Sequence, residues 1–463
     1  MPRLRRPKRP CQPAAVAAPP APPAPSASHG PIGVSELVPT AESAASGYQG
    51  INPGYLRRLT DDRTLILPNW DNYAIPLIAA ILRSQGYPAL VMEETDETIR
   101  RSLRWNNGQR IPMNALVEGF AETVRRHALS PERCALWVPT AEFSCNIRLF
   151  PHHIQEILRR YKGMEQASVY LGNMTFIDLS PVITANAYLA YMFSGLIRRI
   201  ACRIRPYERQ AGQTNRAVEA SLAILRGVFE ENGHGKTDAI DQITDLFDAI
   251  DYDHTARRPK VALFGDVYVR DNDVMNQDVI DYIEQNGGEV VTMPFHEFTR
   301  MTSNVYFRRW ARDLRLGRLL ALKPMMAAMA QMERWYYRRL ERVVQQPLPR
   351  FAENPAQILE RFRVRLEHEG ESQDNLMKTW YIKQQYPDLA LFVQLNPAFC
   401  CAGLVTEAMS PAIREITGVP VLSITYDGIG GFKNDAILPY LQYSAERSAH
   451  GESSSSSHEF PVA

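Results

Sequence analysis

Short apolar runs followed by segments of helical periodicity, repeated along two stretches of the chain, constrain its fold more than any other feature. Leu389-Ala390-Leu391-Phe392-Val393 has the length and apolar continuity of a parallel strand covered on both faces, and residues 403–416 repeat apolar side chains at helical spacing. Upstream, residues 64–68, 89–92 and 134–138 read as strands, with helices over 73–84 and 112–127 between them. A second set comprises strands at 260–264, 289–291, 389–393 and 419–424, with a helix over 274–285. Strand and helix in alternation predict parallel sheets, so the expected class is α/β, with two parallel-sheet lobes and a helical connecting region.

Composition sets the boundaries. Residues 1–54 begin with an Arg/Lys cluster and turn to Pro, Ala and Ser, and Pro19-Pro20 and Pro22-Pro23 interrupt any signal-peptide core. That segment reads as a disordered extension. The first α/β lobe is expected over 55–172, a helical connector over 173–257, and a second α/β lobe with a helical insertion over 258–442. A disordered tail is expected over 443–463, where Ser453 to Ser457 form a serine run. The stretch 179–197 is uncharged but carries Ser, Pro, Thr and Asn, which favours a buried helix over a membrane span. With 52 Lys and Arg against 51 Asp and Glu the net charge is +1, so no global field argues for nucleic acid or a membrane surface. The Arg-rich stretch 306–342 reads as one or two amphipathic helices with solvated Arg faces. Six cysteines, none in a Cys-x-x-Cys pair, are too few for a disulfide scaffold, and reduced thiols in the cytoplasm are the default.

Two of those cysteines stand where chemistry is expected. In open α/β sheets ligands bind at the carboxyl ends of strands. Cys400-Cys401 follows the 389–393 strand through Asn396-Pro397, and Cys145 follows the 134–138 strand through Phe143-Ser144. If the lobes face one another, both thiols point into one cleft. Amides at a helix N-terminus lower a thiol pKa, and thiolates are the usual iron-sulphur ligands. Buried free cysteines are also common as packing residues, and that is the reading for Cys134 in a strand and Cys202 in a helix. Asp427, Gly428, Gly430 and Gly431 follow the 419–424 strand and could offer amides to a phosphate or a cluster-bound ligand, or simply form a left-handed turn. Gly233-His234-Gly235-Lys236-Thr237 lacks the first glycine of a phosphate loop and reads as a helix stop with Thr237 capping the next helix. His152-His153 reads as surface or cap rather than ligand.

The chain resembles the 2-hydroxyacyl-CoA dehydratase D-component and CoA-enzyme-activase-related superfamily over most of residues 60–442. The resemblance rests on Arg205-Pro206-Tyr207-Glu208 with Gly212 and Thr214, on Pro259 to Arg270 with Asn276, and on Asn396 to Gly403 continuing into Tyr426-Asp427-Gly428. It implies two Rossmann-like lobes with a [4Fe-4S] cluster held in the cleft by three cysteines, one iron being left open. Carried across by position, it implies Cys145 and Cys400 as metal ligands, with Cys401 as a substitute for the third. Ile111 stands where that third cysteine is expected. It further implies a CoA thioester as candidate substrate, a separate ATP-dependent activator protein as electron donor, and a homo- or hetero-oligomer without nucleic acid or membrane. The missing ligand leaves a non-catalytic cluster carrier open. A metal-free scaffold or ligand-binding module of the same fold is the alternative from another class, so enzymatic activity is not fixed by the sequence.

Overall fold

Leu65 and Leu67 point into one apolar layer and Ile66 into another, and the same alternation separates Ala135 and Trp137 from Cys134, Leu136 and Val138. This period of two is what a strand buried on both faces produces. The computed structural model describes residues 63–106, 108, 110–139, 145–367 and 370–449; the extension over 1–54, the loop with Phe143 and Ser144, and the tail beyond 449 lie outside the described residues. The described residues form one compact unit.

In chain order the first lobe runs β1 (Thr64–Leu67), α1 (Ala74–Ser84), β2 (Ala89–Val91), α2 (Asp96–Ser102), α3 (Ile111–Arg126), β3 (Cys134–Pro139), α4 (Phe150–Arg160) and β4 (Ser168–Gly172). Three connecting helices follow, α5 (Pro181–Ile204), α6 (Gln213–Glu230) and α7 (Lys236–Asp248). The second lobe begins with β5 (Lys260–Gly265), α8 (Val267–Arg270), α9 (Val279–Gln285) and β6 (Glu289–Val291). Its helical insertion is α10 (Phe295–Arg312), α11 (Leu316–Val344), α12 (Pro355–Arg361) and α13 (Glu371–Gln385). It closes with β7 (Leu389–Pro397), α14 (Cys401–Ala408), α15 (Ser410–Thr417), β8 (Val421–Tyr426) and α16 (Leu438–Ala449).

Each lobe holds one four-stranded, all-parallel sheet, ordered β2-β1-β3-β4 and β6-β5-β7-β8. The expected α/β class with two Rossmann-like lobes is therefore observed. In both sheets the strand order reverses next to the first strand, which puts a topological switch point between β1 and β3 and another between β5 and β7. The second sheet is sandwiched as the first is: Val261, Leu263, Leu391 and Val393 face one layer, and Ala262, Phe264 and Phe392 the other. Gly265 has φ +118°, and a Cβ there would lie 2.4 Å from the Leu395 carbonyl oxygen, so only glycine lets β5 and β7 end this close together.

The connector covers the first sheet, with Ile183, Phe193, Leu196 and Ile200 of α5 in one apolar layer with Leu65, Leu67 and Trp137. The stretch read as a buried helix is α5, capped by the Ser180 hydroxyl accepting the Ile183 amide at 3.1 Å. No helix among the described residues is long and apolar enough to cross a membrane.

Several boundaries differ from expectation. The strand β4 was not anticipated; β7 extends to Pro397; α9 starts at Val279 because Gln277 and Asp278 are left-handed, at φ 57° and 54°. Thr237 sits inside α7, whose cap position is Gly235 at φ +74°, while Gly233 does end α6, donating to the Val228 carbonyl at 2.7 Å. The Arg-rich stretch is two helices, as expected, and Arg339 of α11 pairs with Asp241 of α7 at 2.5 Å. The last helix runs through Ala449, past residue 443 where the tail was drawn.

Candidate functional site in the cleft between the sheets

The chain leaves β7 at Pro397 and turns through Phe399, whose φ of 65° is left-handed and costs a non-glycine residue about 1–2 kcal/mol. That turn places Cys400 at the cap of α14, where its sulphur accepts the Gly403 amide at 3.3 Å. A Cβ on Gly403 would lie 2.6 Å from the Asn396 side chain, so this helix start can approach the strand end only with glycine. Cys400 is 3% exposed. In the first lobe Cys145 occupies the matching place, half-buried and extended at φ −144°, just before Asn146.

Closure of the lobes brings the two cysteines together. Asn146 donates from Nδ2 to the Phe399 carbonyl at 3.2 Å across the cleft. Arg110, 4% exposed at the entry to α3, donates to Cys145 Sγ at 3.6 Å and to Asn146 Oδ1 at 3.2 Å. The same guanidinium forms a buried ion pair with Asp266, the residue that follows β5. Burial pushes the Cys400 thiol up to about 11, against the opposing pull of Arg110, and Glu371 and Cys145 add to the rise. Burial raises Cys145 too, again opposed by Arg110, with Glu371 and Cys401 pushing the same way as burial. Cys145 and Cys400 thus answer to the same two charged side chains. Cys401 is exposed in the first turn of α14. Cys134 and Cys202 are core residues, as expected.

Asp266, Glu371 and Cys400 each offer one donor atom, and the three lie within 4.8 Å of one another. Asp266 is already engaged, since its Oδ1 accepts the Tyr268 and Val269 amides at 3.0 and 3.2 Å and its Oδ2 meets Arg110. Ile111, at the position expected for a third cysteine, is 1% exposed and packs with Ile99 and Ala115 against the second lobe. An aliphatic side chain there contributes interlobe contact and no ligand.

The Asp427–Gly431 loop follows β8 and is held by its own contacts. Asp427 accepts the Ile429 amide at 3.0 Å and pairs with Lys433 at 3.2 Å, and Gly431 accepts from Gln277 at 3.0 Å. Gly428 has φ +69°, with Ile99, Leu103 and Ile111 packed beneath it. Its Asp427 is spent within the loop, and Asp427, Gly428, Gly430 and Gly431 do not line the cavity. His152 and His153 lie on α4, exposed and half-buried.

A cavity of about 490 Å³ opens beside Cys145. Arg110, Cys145, Asp266 and Glu371 form its polar end, and Phe298, Phe307, Trp310, Met325 and Met329 of the helical insertion form much of its apolar length. A pocket of this kind takes a ligand with a polar head and an apolar body. Asp266 and Glu371 carried no periodic signal in sequence. Asp266 could have been flagged as the first residue beyond a strand end, whereas Glu371 and Arg110 become site residues only when the lobes close.

Close behind the Asp266 turn, Tyr268 and Asn272 donate to Glu94. Burial pushes this carboxyl from 4.5 up to about 7, opposed by those two hydrogen bonds. The folded state therefore holds a proton that the unfolded chain has released, and between pH 4.5 and 7 stability falls as pH rises, by up to about 3 kcal/mol. Urea midpoints measured across that window are expected to decline more steeply for the wild type than for Glu94→Gln, and parallel curves would refute the assignment. No protein-family model matches the chain, and no curated protein matches it.

Proposed function

We propose that the chain is an iron-sulphur protein of the 2-hydroxyacyl-CoA dehydratase D-component type, with Cys145 and Cys400 holding a [4Fe-4S] cluster at the polar end of the interlobe cavity. The observation that carries this reading is the convergence of two cysteines from different lobes on the one guanidinium of Arg110. The donor chemistry fits the group in part, since two thiols at strand ends suit iron while Ile111 removes the third. A cluster bound there would supply one-electron chemistry and an open iron able to act on a substrate oxygen. The chain's own residues would do the rest: the insertion helices seat an apolar acyl body away from water, and Arg110 offsets negative charge gathered at the thiols. Because both thiols are held in the neutral form by burial, loading the metal must release their protons, so uptake is expected to strengthen as pH rises. A CoA thioester as substrate, a separate ATP-dependent activator as electron donor, and a cytoplasmic setting belong to the same proposal.

A second reading, a metal-free ligand-binding module, is favoured by the Arg110–Asp266 pair, which already balances charge beside Cys145. Anaerobic purification with iron and acid-labile sulphide analysis decides between them. The first reading expects about four of each per chain, largely lost in Cys145→Ala and in Cys400→Ala. Colourless wild type without iron or sulphide, and with unchanged melting in both variants, would establish the second.

A further inference from the structure

We propose that Glu371 supplies the third protein ligand of the metal centre, in place of the thiol that Ile111 does not carry. This rests on the iron-sulphur reading. Glu371 is the first residue of α13, placed by Gly370 at φ +131°, and it is only 8% exposed. Its Oε1 is buried and accepts no hydrogen bond. A carboxylate withdrawn from water without a donor is unfavourable unless something else meets it. Lys378, the buried cation on the same helix whose charge interacts with it, donates to Asn375 at 3.1 Å instead. The N-terminus of a 15-residue helix favours a negative side chain at this point but gives Glu371 no hydrogen bond.

The neighbours of Glu371 indicate what that partner is. One carboxylate oxygen lies within 4.8 Å of Cys400 Sγ, and its charge acts on the Cys145 and Cys400 thiols alike. Glu371 lines the same polar end of the cavity as Cys145. Asp266, the other carboxylate within reach, has both oxygens engaged by amides and by Arg110. Cys401 is exposed, whereas Cys145 and Glu371 line the cavity and buried Cys400 has its sulphur within 4.8 Å of a Glu371 oxygen. Two thiols and an unsatisfied carboxylate near one cavity form a donor set for a cation, and carboxylate oxygen is an accepted iron ligand.

Anaerobic reconstitution of the full chain with ferrous iron and sulphide, followed by desalting, iron and sulphide analysis, and electron paramagnetic resonance of the reduced protein, tests this. Glu371→Gln keeps the shape but binds iron poorly, so retained iron is expected to fall by about tenfold or more. The apoprotein of the same variant is expected to melt no lower than the wild type, because Glu371 Oε1 accepts no hydrogen bond that the amide would lose. A merely structural glutamate would lower both measurements together. Glu371→Cys is expected to retain iron with an altered resonance spectrum. Wild-type iron content and an unchanged spectrum in Glu371→Gln, with Cys145→Ala and Cys400→Ala both depleted, would sink the assignment while leaving the cluster reading intact. Absence of iron from the reconstituted wild type would overturn both.

Discussion

Arg198→Met is expected to lower the unfolding free energy by about 3–5 kcal/mol, the typical consequence of leaving buried charge without its partner. Arg198 projects from α5 into the junction of the two lobes. It meets Asp71 Oδ1 at 2.9 Å and Asp271 Oδ1 at 3.5 Å, with all three side chains under a tenth exposed. Its guanidinium also lies 4.3 Å from the centre of the Tyr73 ring. Asp71 and Asp271 form a parallel bridge between the lobes, and Asn72 donates to Asp273 at 2.7 Å beside it. Methionine fills most of the volume but brings no positive charge. Asp271 keeps Arg270 at 3.0 Å, whereas Asp71 keeps only the Tyr73 and Ala74 amides that it caps. Denaturant midpoints of the two proteins give the difference directly, and it should persist in 1 M salt because a buried pair is screened little. A loss below about 1 kcal/mol, or one that vanishes in salt, would mean that Arg198 behaves as a surface ion pair.

The junction explains how much of the molecule could be read from the chain. Seven of the eight strands were legible because continuous apolar runs such as Leu391-Phe392-Val393 are the direct signature of sheets buried on both faces. Ser168–Gly172 was not, and it is a strand through a complete register with β3, from Ala135↔Ser168 to Pro139↔Gly172. The cysteines were legible because their position depends on strand ends, a local property. Arg110, Asp266 and Glu371 were not, because their meaning depends on which charges meet after closure: Arg110 lies 156 residues from Asp266 in sequence, 266 less 110, and no pattern along the chain announces that pair. Phe399 illustrates the converse, since its left-handed turn is sustained by Gly403 packing on Asn396 and by Asn146 reaching its carbonyl, and local propensity opposes it.

Arg110→Met is the second substitution expected to have a large effect, and it separates the electrostatic role of this arginine from its packing. Removing the guanidinium strands Asp266 in a site where both side chains are 4% exposed, so a loss of about 3–5 kcal/mol is again expected. Adding Asp266→Asn should recover part of it, because asparagine still accepts the Tyr268 and Val269 amides through Oδ1 while carrying no charge. The thiols respond in a direction fixed by sign. Arg110 lowers the pKa of both Cys145 and Cys400 against the larger effect of burial, so without it both rise further and the thiolate fraction at neutral pH drops. Alkylation of half-buried Cys145 by iodoacetamide, resolved from exposed Cys401 by peptide mass spectrometry, should slow in Arg110→Met and show its pH midpoint displaced upward. Faster alkylation with an unshifted midpoint would instead mean that the cleft had opened and that Arg110 acts as an interlobe brace alone. The double variant distinguishes these again, because restoring stability without restoring reactivity is expected only if the positive charge itself tunes the sulphur.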